Sequence, residues 1–519
     1  MNLRVLLLPA LLCVFLFSGF AQEETEEDLT PYLEDSSPAP ELDLVDLVYV
    51  INSFVFNVDG ITRPFALINA AGLAAGEEIT GLSNLESYIQ NKQQLLYNER
   101  VLESARIEYS IGQIRQDGKY PVDLVIYVKD TWNIIAIPYP KYNSNTGFEL
   151  ILKARDYNFL GTMNSLRLDL GYRHDEKGRD FFTSMLDSGI PFRALGLDWF
   201  FDFDNYFDYR PDMGEPFYFK NITGLSVGIP IGPTTLNLSF DESLFINEEN
   251  SDVYKPVHGD FQKLYMSSNP SISWGIPTGL EIGSYGGLSY TPWVSATFNH
   301  EFPQWPLPEP RKYPSLSFGH SLGFGRIDWI GNFLKGYSAS ISNSFGYSFY
   351  NLKNGSNPLT IDYNIRGTGH FTVTDNFGIS SRLIFRQWIF TTSTSAGNVL
   401  RGVLDNDITA DYMLSLNLDL NFRVLKFRPS EWFNSSKWRL FDFDLHLVPI
   451  MDAALSHNPE SGTVLGFNRL NLTGGFELIV FPNFFRSLFL RASIATDIYE
   501  ILAYKKRNME LFIGMELHY

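Results

Sequence analysis

The sequence predicts an exported, mainly β chain. A 16-stranded antiparallel transmembrane barrel is expected over residues 145–519, behind one small α+β domain over residues 47–132. Three observations carry this expectation. The N-terminus has the layout of a secretory signal. Long segments with period-2 alternation of apolar and polar residues recur after about residue 145. Past residue 21 there is no apolar run of the roughly 18–20 residues that a membrane helix needs, so a membrane crossing would have to be made by a closed barrel.

Residues 1–21 are expected to be a signal peptide: Arg4 is the positive residue, Leu6 to Phe17 the apolar run, and Gly19-Phe20-Ala21 the small-x-small cleavage site. Leu12 stands before Cys13 where a lipoprotein would carry a small residue. Cys13 is the only cysteine, so the mature chain would have no disulfide, thiolate metal site or Cys nucleophile. The formal charge is −19, and residues 22–46 concentrate it: Glu23, Glu24, Glu26, Glu27, Asp28, Glu34, Asp35, Glu41, Asp43 and Asp46, with no Lys or Arg. With Pro31, Pro38 and Pro40 this composition predicts a solvated, disordered linker. Such a balance disfavours nucleic acid as a partner.

Residues 47–132 alternate between strand and helix patterns. Leu47–Asn57 suggests a strand, and Gly60 a turn. Thr62 is placed to cap a helix over Pro64–Ala71, which Gly72 would stop. Ser83 and Glu86 have capping-box spacing ahead of a helical face with Leu85, Ile89 and Leu96. Two strands follow, Ala105–Ile111 and Pro121–Val128, joined by a hairpin at Gln116–Lys119. The expected order is β-α-α-β-β.

After residue 145 the helical period gives way to alternation. In Asp411–Val424, Tyr412, Leu414, Leu416, Leu418, Leu420, Phe422 and Val424 share one face. Asp411, Ser415, Asn417, Asp419, Asn421 and Arg423 share the other, with Met413 as the apolar exception. Leu166–Tyr172, Phe441–Leu447 and Leu511–Tyr519 repeat the pattern. Strands of soluble sheets are usually about 5–6 residues long and membrane strands about 9–11, so length favours a barrel over a soluble sandwich. Aromatic residues make up 15% of the chain, as interfacial girdles require. Segments number about 16 or 17, and the even count is taken. Short turns such as Asn158–Gly161 and Phe481–Arg486 contrast with the long connection Thr391–Ala410.

Enzymatic motifs are weak. Gly224-Leu225-Ser226-Val227-Gly228 has the G-x-S-x-G form, but it lies in strand text rather than at a strand-to-helix turn. The 8 histidines lack metal-ligand spacing, and there is no P-loop or dinucleotide fingerprint. No cofactor, no metal and no enzymatic activity is expected.

Tyr157-Asn158-Phe159-Leu160-Gly161-Thr162, Leu400-Arg401-Gly402-Val403 and the chain end Gly514-Met515-Glu516-Leu517-His518-Tyr519 together carry a resemblance. The chain resembles the superfamily of BamA, TamA and the two-partner-secretion translocases, in which periplasmic POTRA domains precede a 16-stranded barrel of the bacterial surface antigen type. Asn158, Phe159, Leu160 and Gly161 match that family's turn after the first barrel strand. Leu400–Val403 resembles its V-R-G-F/Y tip on the sixth outer loop, with Val403 in place of an aromatic residue, and five strands are expected after it. Ile365-Arg366-Gly367 competes for this match but lies inside an alternating segment. The family pairs the tip arginine with a lumenal aspartate. Ile450-Met451-Asp452-Ala453-Ala454 matches that motif at Asp452 but not at its flanks, which implies an Arg401–Asp452 pair. Asp419 and Asp497 are weaker partners for the same arginine. Gly514, Leu517 and Tyr519 fit the terminal G-x-x-Φ-x-Φ assembly signal.

The resemblance implies traffic of polypeptides at the outer membrane, either insertion of barrel clients or passage of a chain across the membrane. The POTRA-like domain would receive the client in the periplasm, and the barrel seam would lie between strands near Phe148–Lys153 and Leu511–Tyr519. Implied partners are outer-membrane lipid, unfolded polypeptide clients, and periplasmic chaperones or accessory lipoproteins. The alternative is a passive porin or receptor-type barrel with a periplasmic accessory domain.

Overall fold

The computed structural model describes residues 47–143, 147–174, 180–209, 211, 217–247, 264–282, 286–404, 407–459, 466–504 and 509–515. The expected signal peptide and acidic linker lie outside the described residues, as do Leu517 and Tyr519. The chain forms two compact units. The smaller holds the chain up to Phe56 with Gly72–Gln93 and Arg106–Ile126; the larger holds Asn57–Ala71, Gln94–Ala105 and everything from Tyr127.

The first elements are β1 (Val48–Asp59), α1 (Pro64–Ala71), β2 (Glu78–Thr80), α2 (Leu82–Asn98), β3 (Leu102–Ile111) and β4 (Tyr120–Asp130). They form a four-stranded sheet in the order β2-β1-β4-β3. The order along the chain is therefore β-α-β-α-β-β rather than β-α-α-β-β. The added β2 has only three residues, too few for alternation to reveal, and pairs with β1 from Val48↔Thr80 to Val50↔Glu78. Val122, Leu124, Ile126 and Val128 of β4 are buried at period 2, and Leu85 and Ile89 of α2 are buried at helical spacing.

Two expected caps are not made. Ser83 lies inside α2, which starts after Gly81, where Leu85 N donates to the Gly81 carbonyl. Arg63, not Thr62, is the residue flanking α1, and its carbonyl accepts from Ala66 N. The Thr62 hydroxyl donates instead to Asp130 Oδ1 at 2.7 Å.

From Ile134 the chain builds one closed barrel in which every strand pairs antiparallel with its sequence neighbours. The strands are β5 (Ile134–Asn143), β6 (Gly147–Asp156), β7 (Leu166–His174), β8 (Asp180–Ala194), β9 (Leu197–Tyr209), β10 (Phe217–Ile231), β11 (Thr234–Ile246), β12 (Leu264–Glu281) and β13 (Gly287–Glu301). They continue as β14 (Ser315–Ile330), β15 (Phe333–Ser348), β16 (Leu359–Thr374), β17 (Phe377–Ile389), β18 (Tyr412–Phe427), β19 (Phe443–His457), β20 (Arg469–Pro482), β21 (Leu490–Asp497) and β22 (Met509–Gly514). Closure is by β22 against β5.

Among the described residues the barrel thus has 18 strands, not 16. It starts at Ile134, ahead of residue 145. Two sequence features hid strands. Pro138 and Pro140 interrupt the apolar pattern of β5. Elsewhere strands run together through two-residue turns, as at Leu195-Gly196, whose φ values of 56° and 76° suit a tight hairpin. The count remains even, as a barrel whose two ends meet antiparallel requires.

Parity sorts side chains as a membrane barrel demands. Leu416, Phe422 and Val424 of β18 are exposed on the outer surface, and Met413, Ser415 and Asn417 are buried on the lumenal side. The G-x-S-x-G segment lies within β10, and Ile365-Arg366-Gly367 within β16. No described helix is long and apolar enough to cross a membrane. A closed, outwardly apolar, antiparallel barrel of this size is the architecture of an outer-membrane β-barrel.

Candidate functional site in the barrel lumen

The connection between β17 and β18 folds inward. Ser393 and Ala410 bridge its two arms, and a helical turn at Ala396–Val399 leads to the tip. Leu400 and Val403 are buried with Ile384, Val399, Ile408 and Met413 in one apolar cluster. Met413, the apolar exception on the polar face of β18, is therefore a packing residue for the tip. Val403, though not aromatic, is only 3% exposed.

Arg401 is turned away from that cluster into carboxylates. Its backbone N and Nε donate to Asp452 Oδ2 at 2.9 and 3.0 Å, and its Nη2 donates to Asp452 Oδ1 at 2.6 Å. Nη2 also reaches Asp419 Oδ1 at 2.7 Å, and Nη1 reaches Glu477 Oε1 at 3.2 Å. The planar fork of guanidinium donors suits such a ring of carboxylates, where a lysine would present a single point charge. Arg491 Nη1 shares Glu477 Oε1 at 3.2 Å.

Gly402 completes the tip. Its N donates to Glu510 Oε2 at 2.8 Å, and its φ is +87°. A Cβ there would stand 2.7 Å from Thr496 N. Two tip residues thus meet all five strands that follow them: Asp419 on β18, Asp452 on β19, Glu477 on β20, Thr496 on β21 and Glu510 on β22.

Of the partners expected for Arg401, the structure brings in Asp452 and Asp419 but not Asp497. Asp497 Oδ2 accepts from Asn471 Nδ2 at 2.8 Å, and its Oδ1 accepts from Glu500 N at 3.0 Å, at the start of the helix Ile498–Tyr504. Glu477 and Glu510 were missed by sequence reasoning. Each is an acidic residue on the lumenal parity of a strand otherwise rich in apolar residues, and that was the available signal.

The turn Asn158–Gly161 follows the second barrel strand, β6, not the first. Asn158 is fully buried; its Nδ2 donates to Thr62 Oγ1 at 2.7 Å and to Asp130 Oδ2 at 3.2 Å, and its Oδ1 accepts from Met163 N at 2.8 Å. Phe159 O accepts from Thr162 N, Leu160 takes φ 55°, and Gly161 O accepts from Arg63 N at 2.9 Å. The turn is a joint between the barrel wall and residues 61–63 of the same unit. Gly514 is buried at the end of β22.

A second inward element had no counterpart in the sequence reading. The β14–β15 hairpin outruns both its neighbours: β13 stops pairing at Gly323, and β16 pairs no further than Gly336. Beyond that, Gly325 (φ 110°) and Gly336 (φ 122°) allow the two arms to approach closely; a Cβ on either would lie 2.2 Å from a carbonyl oxygen of the other arm. The tip folds onto β19 and β20. Asn332 Nδ2 donates to Asp444 Oδ2 at 2.9 Å, the Phe333 ring lies 4.9 Å from His446, and Trp329 meets Phe481 edge-on. A cavity remains between the hairpin and the wall, lined by Trp329, Asn332, His370, Asp419 and Glu477 among others.

From the other side Gln94–Ala105, which belongs to the barrel's unit, holds the hairpin. Asn98 Nδ2 donates to Asp328 Oδ1 at 2.8 Å, and the Arg100 guanidinium lies 4.2 Å over the Trp329 ring. Burial, with Arg486 nearby, pushes the Arg100 guanidinium down to about 9.

No protein-family model and no curated protein matches this chain. Solved structures do. CdiB from Acinetobacter baumannii matches at 14% identity and a TM-score of 0.47, over 90% of this chain and 74% of that one. BamA from Haemophilus ducreyi lacking POTRA domains 1-3 matches at 14% identity and a TM-score of 0.35, over 90% and 84%. CdiB from Escherichia coli matches at 8% identity and a TM-score of 0.38, over 92% of each chain. The chain is similar in fold to CdiB and BamA barrels.

At the closing seam, β22 and β5 share a single described pair, Phe512↔Asn143, with Tyr139 Oη donating to the Ile513 carbonyl at 2.7 Å. By contrast, β5 pairs with β6 along its whole length. The seam strand at the start of the barrel is thus Ile134–Asn143 and not Phe148–Lys153, which lies one strand further on.

Proposed function

We propose that this protein is an outer-membrane assembly or translocation factor that inserts barrel clients or passes a polypeptide across the membrane. The residue 47–132 domain would lie in the periplasm and receive the client. One observation carries the reading: the lumen is entered from both rims by inward-folded elements, the Arg401 tip and the β14–β15 hairpin, each held by polar contacts to the wall. A passive porin works by an open lumen, whereas a gated conduit needs removable contents.

The β5–β22 seam suits the insertase form of the reading, because an edge freed there offers backbone groups to an incoming strand. The tip is bonded to that seam through Gly402 and Glu510, so withdrawal of the loop and release of the closing strand would be linked. Periplasmic chaperones or accessory lipoproteins remain the expected helpers. No nucleotide is required, because client folding and lipid burial supply the free energy.

The test is depletion followed by quantitative outer-membrane and surface proteomics, with crosslinking of residues 47–132 to unfolded clients. Loss of many barrels identifies an insertase, and loss of one secreted protein a translocase. An unchanged proteome without crosslinks would overturn the proposal. A cystine between positions 143 and 512 should stop an insertase while leaving a lumenal translocase active.

A further inference from the structure

The connection between β18 and β19, residues 428–442, is the longest at the rim where the chain enters the barrel. It holds two helical turns, Pro429–Trp432 and Ser436–Phe441. Its base is fixed by buried polar contacts. Arg428 Nη1 donates to the Phe443 carbonyl at 2.8 Å, its Nη2 pairs with Asp444, and Asp442 Oδ1 accepts from Ser430 N at 3.1 Å.

Its outer part is the reverse. Trp432 and Phe433 are each 61% exposed, Phe441 54% and Trp438 42%. Water-facing surfaces rarely gather so many large apolar side chains, and the fixed base keeps them from folding onto the barrel. The patch continues the outer wall without a break. Phe443 stacks on Phe427 at 5.0 Å, and Phe427 meets Trp432 edge-on at 4.9 Å. Lys437, next to Trp438 in the sequence, is exposed, while Arg439 is taken by Glu103 at 2.7 Å.

We propose that residues 428–442 are a lipid-binding elbow. Trp432, Phe433, Trp438 and Phe441 lie in the headgroup–acyl boundary of the phospholipid leaflet at this rim, and Lys437 meets lipid phosphate. Continuity with the lipid-facing wall argues for lipid over a protein partner. The tryptophans with a nearby lysine are the chemistry of a membrane interface. The elbow rests on the reading of the barrel as membrane-embedded, and would hold the barrel's depth and tilt in the bilayer while the seam works.

The test uses the full chain with Cys13→Ala, in phosphatidylcholine–phosphatidylglycerol nanodiscs. A polarity-sensitive fluorophore is attached at Phe433→Cys or, as a wall control, at Leu416→Cys. Lipids brominated near the headgroup should quench the position-433 label at least twofold, and lipids brominated deep in the chain should quench the position-416 label. Lys437→Glu should weaken the position-433 quenching when the leaflet is rich in phosphatidylglycerol. A position-433 label quenched by aqueous iodide but not by lipid, beside a lipid-quenched position 416, would overturn the elbow alone. Shielding of position 433 from both quenchers would mean that a protein covers the patch, and would overturn it too. If neither label met lipid, the membrane-barrel reading itself would fall.

Discussion

Asp452 holds Arg401 through three hydrogen bonds, one from the backbone N and two from the guanidinium, at 2.9, 3.0 and 2.6 Å. Asp452 is 1% exposed and Arg401 5%. Removing one partner of a buried pair leaves an uncompensated charge and costs about 3–5 kcal/mol. Arg401→Ala would leave Asp452 and Asp419 without their arginine, while Glu477 would keep Arg491. The expected outcome is a clear drop in the temperature at which the folded band on a gel converts to the unfolded one. Arg401→Lys should fall between, because an ammonium cannot reproduce the guanidinium's planar fork of donors. A melting temperature unchanged in Arg401→Ala would sink the pinning role.

Asn332 and Phe333 place the β14–β15 hairpin against β19. Replacing residues 326–335 with a two-residue turn should open the lumen on that side. Single-channel conductance in planar bilayers should rise several-fold over the intact protein, with Phe333→Ala giving a smaller rise. Equal conductance in both variants and the parent would show that the hairpin does not obstruct the lumen.

Gly161 combines a φ of +72° with a Cβ position 2.1 Å from the Ile61 carbonyl oxygen. Left-handed backbone alone costs an L-residue about 1–2 kcal/mol, and the clash must add to it. Gly161→Ala should therefore lower thermal stability, and Asn158→Ala should do so as well by removing the amide that donates to Thr62 and Asp130 and accepts from Met163 N. Proteolysis near residues 57–63 is the second readout, expected to quicken in both variants.

Glu103 titrates below the usual carboxylate range. Burial alone would raise it, but hydrogen bonds from Arg439 and Lys129 outweigh that. A folded value below the unfolded one contributes stability above about pH 4.3, and that contribution fades as pH falls through the folded value. Glu103→Gln should be less stable than the parent at pH 7, and the gap should close as pH falls through the folded value of Glu103. A gap of constant size across that range would contradict the assignment.

Strand text, parity and polarity were legible because each is local. Alternation in Asp411–Val424 placed Asp419 on the lumenal side, and the same rule placed Asp444, His446 and Asp452 there. Arg401 was singled out by the resemblance of Leu400–Val403 to a family's loop tip, in a polar, glycine-containing connection. Element ends and counts were less legible. Two prolines concealed β5, and two-residue turns merged neighbouring strands. The three-residue β2 is defined by its pairing rather than by its own pattern.

By itself the sequence determined that this chain would close a barrel and which face of each strand would be wet, because side-chain direction in a strand has period 2 and lipid admits only apolar residues. The Arg401 tip and its main carboxylate came from the family resemblance of Leu400–Val403 and of the segment around Asp452. Only the tertiary structure decided which acids meet that arginine, since Asp419, Asp452 and Glu477 lie on three strands whose adjacency depends on register. The same holds for the hairpin that folds onto β19 and β20. Trp329, Asn332 and Phe333 look like ordinary turn residues until Gly325 and Gly336 bend them onto a wall more than a hundred residues away in sequence.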